Sequence, residues 1–317
     1  MSAGIEAVVH AVRAVARDVL QVGLRHSGGV SLPGAAPGAH IDLALPNGLV
    51  RQYSLVNAGG RERQDDYQVA VGWDRASRGG SHWIHEKLRV GQRLRIGAPR
   101  NLFAMDPRHR RVLLLAGGIG ITPIYAMAQR CAAEGLDWTL VACARSASRL
   151  AYLEELRALA GPRLRLHCDD EQQHPLDLAQ LLSECRWDGA YACGPAPMLD
   201  AVLAATAHWP PGRMQVERFK AAELPAGERR RFELVLARSG RTAQVEAHEG
   251  VLDVLQRLGV DHPWACREGL CGTCEAPVLE GEVEHLDSVL DPAGRAAQRR
   301  MMVCVSRCAG ERLVLDL

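Results

Sequence analysis

The stretch "CREGLCGTC" (residues 266–274) places three of the ten cysteines of this 317-residue chain within nine residues. Cys266, Cys271 and Cys274 are spaced Cys-x4-Cys-x2-Cys, and Cys304 follows after 29 further residues. Cysteines at this density can hold zinc, form disulfides or ligate an iron–sulfur cluster. The choice among these chemistries also decides the fold of the C-terminal part of the chain.

The spacing of these cysteines favours an iron–sulfur cluster over zinc. A zinc site of four cysteines usually consists of two pairs, whereas a compact triplet with one distant cysteine is typical of a plant-type 2Fe–2S cluster. Gly269, Gly272 and Thr273 suit that cluster, because backbone N–H groups must come close to the inorganic sulfides. We therefore predict Cys304 as the fourth ligand, since it follows the apolar "MMV"; Cys308, 33 residues after the triplet, is the alternative.

Charge and hydropathy bear on the compartment and on the class of partner. Charges interrupt the N-terminal region, so we read no secretory signal, and no segment reaches the ~20 apolar residues of a membrane-spanning helix. We therefore expect a cytoplasmic protein without a membrane partner, in which disulfides are disfavoured. The net charge of +1 gives no reason to expect nucleic acid as a partner.

The cysteines expected to be packed thiols are Cys131, Cys143, Cys168, Cys185 and Cys308.

The hydrophobic pattern divides the chain into three blocks. Residues 1–104 show short alternating strands with turns, which predicts an antiparallel β-barrel. Residues 105–222 alternate apolar runs such as "RVLLLA" with helical segments, which predicts a parallel α/β sheet. Residues 223–231 have the composition of a linker. Residues 232–317 return to β structure with one helix, so the fold class is multidomain.

Two segments of the β block indicate a flavin-phosphate site. In "RQYSLVN" (51–57), Arg51 and Tyr53 alternate along a strand and share one face. In "SRGGSHWIH" (77–85), the glycines leave backbone N–H groups accessible and Ser81 adds a hydroxyl. A phosphate needs a cation and several donors, so the two segments together are much more specific than either alone. Tyr53 by itself is equally compatible with a place in the core.

Two strand-to-helix turns of the second block indicate a nucleotide site. In "LLLAGGIGITPIYAMA" (113–128), glycines permit a tight turn and a helix N-terminus favours a pyrophosphate, with Thr122 expected as the N-cap. The spacing is not G-x-G-x-x-G, and no ribose-binding acid follows at the usual place, so a dehydrogenase fingerprint is absent. In "ACGPAPM" (192–198), Cys193 has no visible base beside it, and we expect a wall of the nicotinamide site rather than a nucleophile.

Together, the motifs "RQYSL", "RGGS", "AGGIGITP", "CGPAPM" and "CREGLCGTC…C" resemble the phthalate dioxygenase reductase family. These proteins are the reductase components of two-component Rieske-type oxygenases, and the resemblance covers essentially the whole chain in domain order. It implies a ferredoxin–NADP⁺ reductase-like core, made of the flavin barrel and the nicotinamide domain, followed by a β-grasp plant-type ferredoxin domain. It also implies FMN rather than FAD as the flavin.

The resemblance further implies the roles of individual residues. The implied flavin residues are Arg51, Tyr53, Ser54, Leu55, Gly80 and Ser81, and the implied nicotinamide residues are Gly117, Gly118, Thr122, Cys193 and Phe219. Of these, Arg51 and Ser81 would hold the phosphate, and Phe219 would cover the flavin ring. NADH is the family norm, although Arg145 and Arg149 could bind the 2′-phosphate of NADPH.

These parts predict a reductase without catalytic acid–base residues. NADH delivers two electrons as hydride, FMN accepts both and can release them singly, and the cluster carries one. The chain lacks the Rieske pattern C-x-H…C-x-x-H and a convincing two-His-one-carboxylate set. We therefore expect a monomer that meets a separate Rieske-type oxygenase, an aromatic-ring dioxygenase or O-demethylase, in a transient complex. The alternatives are a reductase for a cytochrome P450, a diiron enzyme or another monooxygenase, and a redox-sensing binding protein.

Overall fold

The computed structural model describes residues 4–174, 176–183, 186–220 and 229–317. They form two compact units, one up to Phe219 and one from Lys220 onward. Most of the predicted linker lies outside the described residues, as does Cys185. None of the helices in the described ranges is long and apolar enough to cross a membrane.

An antiparallel barrel forms the first part of the first unit. Its elements are β1 (Ile5–Ala16), β2 (Val19–His26), β3 (Leu32–Pro33), β4 (His40–Ala44), β5 (Val50–Ser54), β6 (Arg63–Gln64), β7 (Tyr67–Gly72), α1 (Gly80–Lys87) and β8 (Arg93–Ile96). The main sheet has the order β5-β4-β8-β1-β2-β7, and β3 pairs with β6. A backbone bridge between Leu55 and Val69 joins the end of β5 to β7, so the two edges of the sheet meet.

The alternation of side chains explains why these segments are strands. On β4, Ile41 and Leu43 are fully buried while Asp42 between them is partly exposed. Burying such an aliphatic side chain contributes about 1.5–3 kcal/mol. The inward-facing residues of the strands together form the core of the barrel.

A five-stranded parallel sheet completes the first unit. Its elements are β9 (Arg111–Gly117), α2 (Ile121–Ala133), β10 (Asp137–Ala144), α3 (Leu153–Ala160), β11 (Leu164–Cys168), α4 (Asp169–Gln172), α5 (Leu178–Ser183), β12 (Gly189–Cys193), α6 (Ala196–Ala205) and β13 (Met214–Glu217). The order is β11-β10-β9-β12-β13. From β9 the chain first adds strands on one side of the sheet (β10, β11) and then on the other side (β12, β13). The carboxyl ends of β9 and β12 therefore border the crevice where such sheets bind ligands.

The start of α2 differs from the prediction. We expected Thr122 to be the N-cap, but α2 begins at Ile121 and Gly120 is the N-cap. A 3₁₀ turn at Gly118–Gly120 directly precedes α2, so the helix begins earlier in the chain than predicted. The hydroxyl of Thr122 instead donates to the carbonyl of Ile119 at 3.1 Å.

The second unit is a mixed sheet covered by a helix. Its elements are β14 (Phe232–Leu236), β15 (Arg241–Val245), α7 (Val251–Arg257), β16 (Glu275–Glu280), β17 (Val283–Glu284), α8 (Pro292–Ala296), β18 (Arg300–Met302), β19 (Arg307–Cys308) and β20 (Arg312–Leu315). The order is β15-β14-β20-β16-β18, with β14 and β20 parallel. The predicted return to β structure and a predicted helix, α7, are present, and the predicted fold class is confirmed. The exact domain boundaries remain predictions.

Candidate cofactor sites

Four cysteine thiols come together in the second unit. The thiol of Cys266 is hydrogen-bonded to those of Cys271 and Cys304, and the thiol of Cys304 also contacts that of Cys274. Three of them are buried and Cys304 is partly exposed. Four converging sulfurs, three from one loop and one from a remote segment, are the arrangement of donors that a plant-type 2Fe–2S cluster requires.

The pKa values of three of these thiols, those of Cys266, Cys271 and Cys304, are raised. Hydrogen bonding to Cys266 lowers the pKa of Cys304, but the contact with Cys274 and burial outweigh it and raise this pKa to about 12. The thiol of Cys266, followed by burial, likewise raises the pKa of Cys271. Cys271 and Cys304 are therefore thiols in the absence of a metal, and a bound metal centre would displace their protons.

The small residues of the loop have a structural reason. Gly269 and Gly272 have positive φ angles of 66° and 69°, which glycine adopts without strain. A Cβ atom on Gly269 would lie 2.6 Å from Cγ2 of Val305. The hydroxyl of Thr273 accepts a hydrogen bond from the thiol of Cys271 at 3.2 Å. The loop can therefore wrap closely around a bound group.

Cys308, the alternative fourth ligand, lies in a different contact network. It belongs to β19, and its thiol donates to the carbonyl of Arg312 at 3.3 Å. Burial is the main cause of its raised pKa, and none of the four converging cysteines contributes to the shift. This placement favours Cys304.

The two predicted flavin segments meet in the barrel. The guanidinium of Arg51 donates to the carbonyl of Arg78 at 3.3 Å. A Cβ atom on Gly80 would lie 2.8 Å from Cγ of Arg51, so glycine is needed for the arginine to lie across the turn. Gly80 is also the first residue of α1, and Gly79 before it has a φ of 89°. A cation thus lies beside the N-terminus of a helix, which is an arrangement suited to phosphate.

The other predicted flavin residues differ in accessibility. Tyr53 on β5 is partly exposed, and burial raises its pKa despite the neighbouring Arg51. Ser54 is 5% exposed and Leu55 is fully buried in the barrel core. The hydroxyl of Ser81 accepts a hydrogen bond from the backbone of Asp74 at 3.4 Å.

His40 is a residue of this region that the sequence reasoning missed. It lies opposite Ser54 in the pairing of β4 with β5, and its Nε2 is buried without a partner among the residues described. Burial, and then the charge of Arg100, lower its pKa to about 4, so the imidazole is neutral. The available signal was a histidine within an alternating apolar strand.

Glycines pack the two nucleotide turns against each other. A Cβ atom on Gly194 would lie 3.1 Å from the backbone of Gly117, and one on Gly120 would lie 2.2 Å from the carbonyl oxygen of Cys193. Gly118, with a φ of 55°, has open space where its side chain would be. The turns that follow β9 and β12 therefore form one continuous edge with room for a ligand.

Cys193 pairs in register with Glu217, a partly buried acid on the neighbouring strand. Oε2 of Glu217 is buried and has no partner within the described part of the chain, and burial raises the pKa of this carboxyl to about 8. Burial, and then Glu217, raise the pKa of Cys193 well above its usual value, so it stays a thiol. Phe219, two residues after Glu217, is 37% exposed. Glu217 was also missed, and its only sequence signal was an acid within the strand "MQVE".

The raised pKa of Glu217 leads to a stability prediction. Its folded pKa of about 8 exceeds the unfolded value of about 4.3, so the folded state binds more protons and stability falls as pH rises between these values. Relative to the protein with Glu217→Gln, the unchanged protein should lose about 3 kcal/mol between pH 5 and pH 8. Urea unfolding of both proteins at these two pH values measures the difference.

The control for this experiment is Glu171→Gln, because Glu171 is exposed. Its pH dependence should follow that of the unchanged protein. Parallel curves for the unchanged protein and the protein with Glu217→Gln would contradict the raised pKa.

The fold and these sites define a class of protein. A barrel with a phosphate cradle, a parallel sheet with a nucleotide edge and a ferredoxin-like unit with four converging thiols describe a pyridine-nucleotide-dependent iron–sulfur reductase. Residues 114–204 match the oxidoreductase NAD-binding domain, and residues 234–309 match the 2Fe-2S iron-sulfur cluster binding domain.

Comparison with known proteins narrows the class. The chain is 68% identical over 317 residues, the full length of both chains, to a toluene-4-sulfonate monooxygenase system reductase subunit from Comamonas testosteroni. Among solved structures it is similar to phthalate dioxygenase reductase (33% identity, 99% of this chain and 98% of that chain, TM-score 0.73). It is also similar to an intact type IV self-sufficient cytochrome P450 monooxygenase (40% identity, TM-score 0.90), covering 99% of this chain but 41% of that one.

This chain belongs to the phthalate dioxygenase reductase family. It is an oxidoreductase with a nicotinamide-nucleotide domain and a 2Fe–2S domain, and it serves as the reductase component of an oxygenase system. Its electrons pass to a separate oxygenase component. The predicted family and general function are thus confirmed.

Proposed function

We propose that the chain passes electrons from NADH through FMN to a 2Fe–2S cluster and then to a separate Rieske-type oxygenase that acts on an aromatic compound. The observation that carries this proposal is the convergence of the four thiols of Cys266, Cys271, Cys274 and Cys304. As parts of the same proposal, the protein is a cytoplasmic monomer and its complex with the oxygenase is transient.

The FMN phosphate is held by Arg51, the N-terminus of α1 at Gly80, and the hydroxyl of Ser81. The contact of Arg51 with the turn before α1 supports this assignment, because it fixes the cation where the first N–H groups of the helix are free. Tyr53 and Ser54 line the ring, while Leu55 supports the strand from the core side. When bound, FMN accepts electrons in pairs and releases them singly.

The nicotinamide lies at the edge formed by Gly117, Gly118 and Thr122, with Cys193 as a wall and Phe219 over the flavin ring. The open space at Gly118 supports this placement. Because Cys193 and Glu217 both keep their protons at neutral pH, this wall is uncharged. The residues of the site orient the two reactants and exclude water, and no side chain has to transfer a proton.

Charges near β10 and β11 support NADH over NADPH. Arg149, a possible partner of a 2′-phosphate, is paired with Asp18 of the barrel at 2.9 Å. The backbone of Asp170 donates to the carbonyl of Arg145 at 3.1 Å, which brings the acidic first turn of α4 next to the other candidate. A phosphate at this edge of the sheet would be repelled by these acids.

The residue types on the surface beside the cluster loop support a docking site for the partner protein there. Trp264 is 39% exposed, and the guanidinium of Arg267 lies 4.3 Å from its ring centre. Arg267 also donates to Gln256 on α7 at 2.6 Å, which holds the pair in place. Tryptophan and arginine are the residue types that contribute most at protein interfaces, and these two flank Cys266.

The proposal is tested on the purified protein. We expect about one FMN and about two irons per chain, and reduction of cytochrome c that is faster with NADH than with NADPH. Recovery of zinc without flavin would contradict the proposal. Candidate oxygenases are then compared for NADH-driven product formation.

A cytochrome P450 is the second candidate acceptor, because of the similarity to part of a self-sufficient P450 chain. The comparison of oxygenases should therefore include a P450 alongside Rieske-type enzymes. Turnover of the P450 alone would replace the Rieske assignment.

A further inference from the structure

Asp287 carries a fully buried carboxyl group next to the cysteine loop, and the electron path proposed above does not use it. Its Oδ2 accepts hydrogen bonds from the backbone N–H groups of Val289 at 3.0 Å and Leu290 at 2.8 Å. Its Oδ1 accepts a third from the hydroxyl of Ser306 at 3.2 Å. Burying a carboxylate is costly unless donors surround it, and three donors suit the ionised form.

The segment around Asp287 packs directly on the loop of the first three cysteines. The backbone of Ser288 donates to the carbonyl of Gly269 at 2.9 Å. A Cβ atom on Gly269 would lie 2.9 Å from Cα of Asp287, so no side chain fits between them. Gly269 lies between Cys266 and Cys271, and its position is therefore fixed by the Asp287 segment.

Asp287 also reaches the segment of the fourth cysteine. Ser306, which donates to its carboxylate, follows Cys304 by two residues. The backbone of Ser306 donates to Met302 at 3.0 Å, and its hydroxyl accepts from Leu286 at 3.2 Å. The Asp287 segment thus contacts both parts of the chain that carry the ligands, through the backbone of Ser288 to Gly269 and through its carboxylate to Ser306.

Two basic side chains, His285 and Arg295, lie close to this carboxylate without donating an ordinary hydrogen bond to it. Arg295 donates to the backbone carbonyls of Asp287 and Leu290 rather than to the carboxylate. The imidazole of His285 lies 3.7 Å from Oδ1, beyond an ordinary hydrogen bond. An ionised carboxylate at this place would act on its surroundings through a medium of low polarity.

We propose that Asp287 is a positioning residue of the iron–sulfur site, which locks the cysteine loop to the Cys304 segment and lowers the reduction potential of the cluster. The inference rests on the proposed ligand set. Groups that orient metal ligands affect both the affinity and the potential of a site. A negative charge next to both ligand segments disfavours the form of the cluster that carries the extra electron.

The test uses Asp287→Asn in the full chain loaded with flavin and cluster. The amide keeps the size and one acceptor oxygen but removes the charge. We expect the cluster to be retained, its reduction potential to become more positive, and iron to be lost to a chelator about tenfold faster. Reduction of the flavin by NADH should be unchanged, because it takes place in the other unit. Glu311→Gln, which removes an exposed charge in the same unit, is the matched control.

A second variant, Ser306→Ala, keeps the proposal testable if the first one does not fold. It removes one donor to Oδ1 and should accelerate iron loss and alter the electron paramagnetic resonance spectrum of the reduced cluster. Unchanged iron loss, potential and spectrum in the variants that fold would overturn the proposal. If the unchanged protein itself holds no 2Fe–2S cluster, the proposed function fails instead, so the two failures are distinguishable.

Discussion

Replacing Cys304 by serine should abolish the 2Fe–2S cluster while leaving the reduction of the flavin by NADH within about twofold of the unchanged rate. Cys304 is in contact with both Cys266 and Cys274, so its loss leaves a three-thiol site. The flavin and nucleotide residues belong to the unit that ends at Phe219, which explains why their chemistry should persist. Iron content and the spectrum of the reduced cluster measure the loss, and stopped-flow bleaching of the flavin measures the remaining step.

Cys308→Ser is the matched control for Cys304. It removes a buried thiol four residues away that donates a hydrogen bond to the carbonyl of Arg312. The protein with this substitution should keep its iron. If Cys308→Ser loses the cluster and Cys304→Ser keeps it, the assignment of the fourth ligand is wrong.

Replacing Arg51 by glutamine should weaken FMN binding by about 100-fold. A charge-assisted hydrogen bond to phosphate contributes about 1.5–3 kcal/mol, and 1.4 kcal/mol corresponds to a factor of ten. The remaining donors at the start of α1 are neutral and do not replace the guanidinium. The measurement is a titration of flavin-free protein with FMN, followed by the quenching of flavin fluorescence.

Riboflavin provides the sharpest control for the Arg51 experiment, because it has the same ring but no phosphate. Its affinity should be equal for the unchanged protein and for Arg51→Gln. Arg89→Gln, just past the other end of α1, should leave FMN binding intact, since the guanidinium of Arg89 donates to the carbonyls of Leu88 and Glu86. An equal loss of riboflavin and FMN affinity would show that Arg51 supports the fold rather than the phosphate.

Much of the fold could be predicted because it follows from local periodicity. The alternation on β4, the apolar run of β9 and the helical spacing of α3 each occur within a single segment. The cysteine triplet is equally local. Cys304 could be predicted as the partner of this triplet because a triplet with one distant cysteine does not match the two cysteine pairs of a usual zinc site.

The remaining features depend on contacts between distant segments. Oε2 of Glu217 is buried because β13 pairs with β12, and His40 is buried because β4 pairs with β5 in a particular register. Thr122 has the composition of an N-cap, but the 3₁₀ turn before it moved the start of the helix. Leu55 belongs to a binding motif, yet its side chain lies in the core. Residue type alone does not contain this information.

The separation of the cysteine triplet from Cys304 has a consequence for folding. A cluster bound at both places closes a chain segment of about 30 residues, as a covalent cross-link would. In the chain-entropy description, a closure of this length lowers the conformational entropy of the unfolded chain, which stabilises the folded state by about 3.5 kcal/mol. A chain without its cluster lacks this constraint, so we expect it to unfold more readily and to be cleaved faster by proteases than the loaded chain.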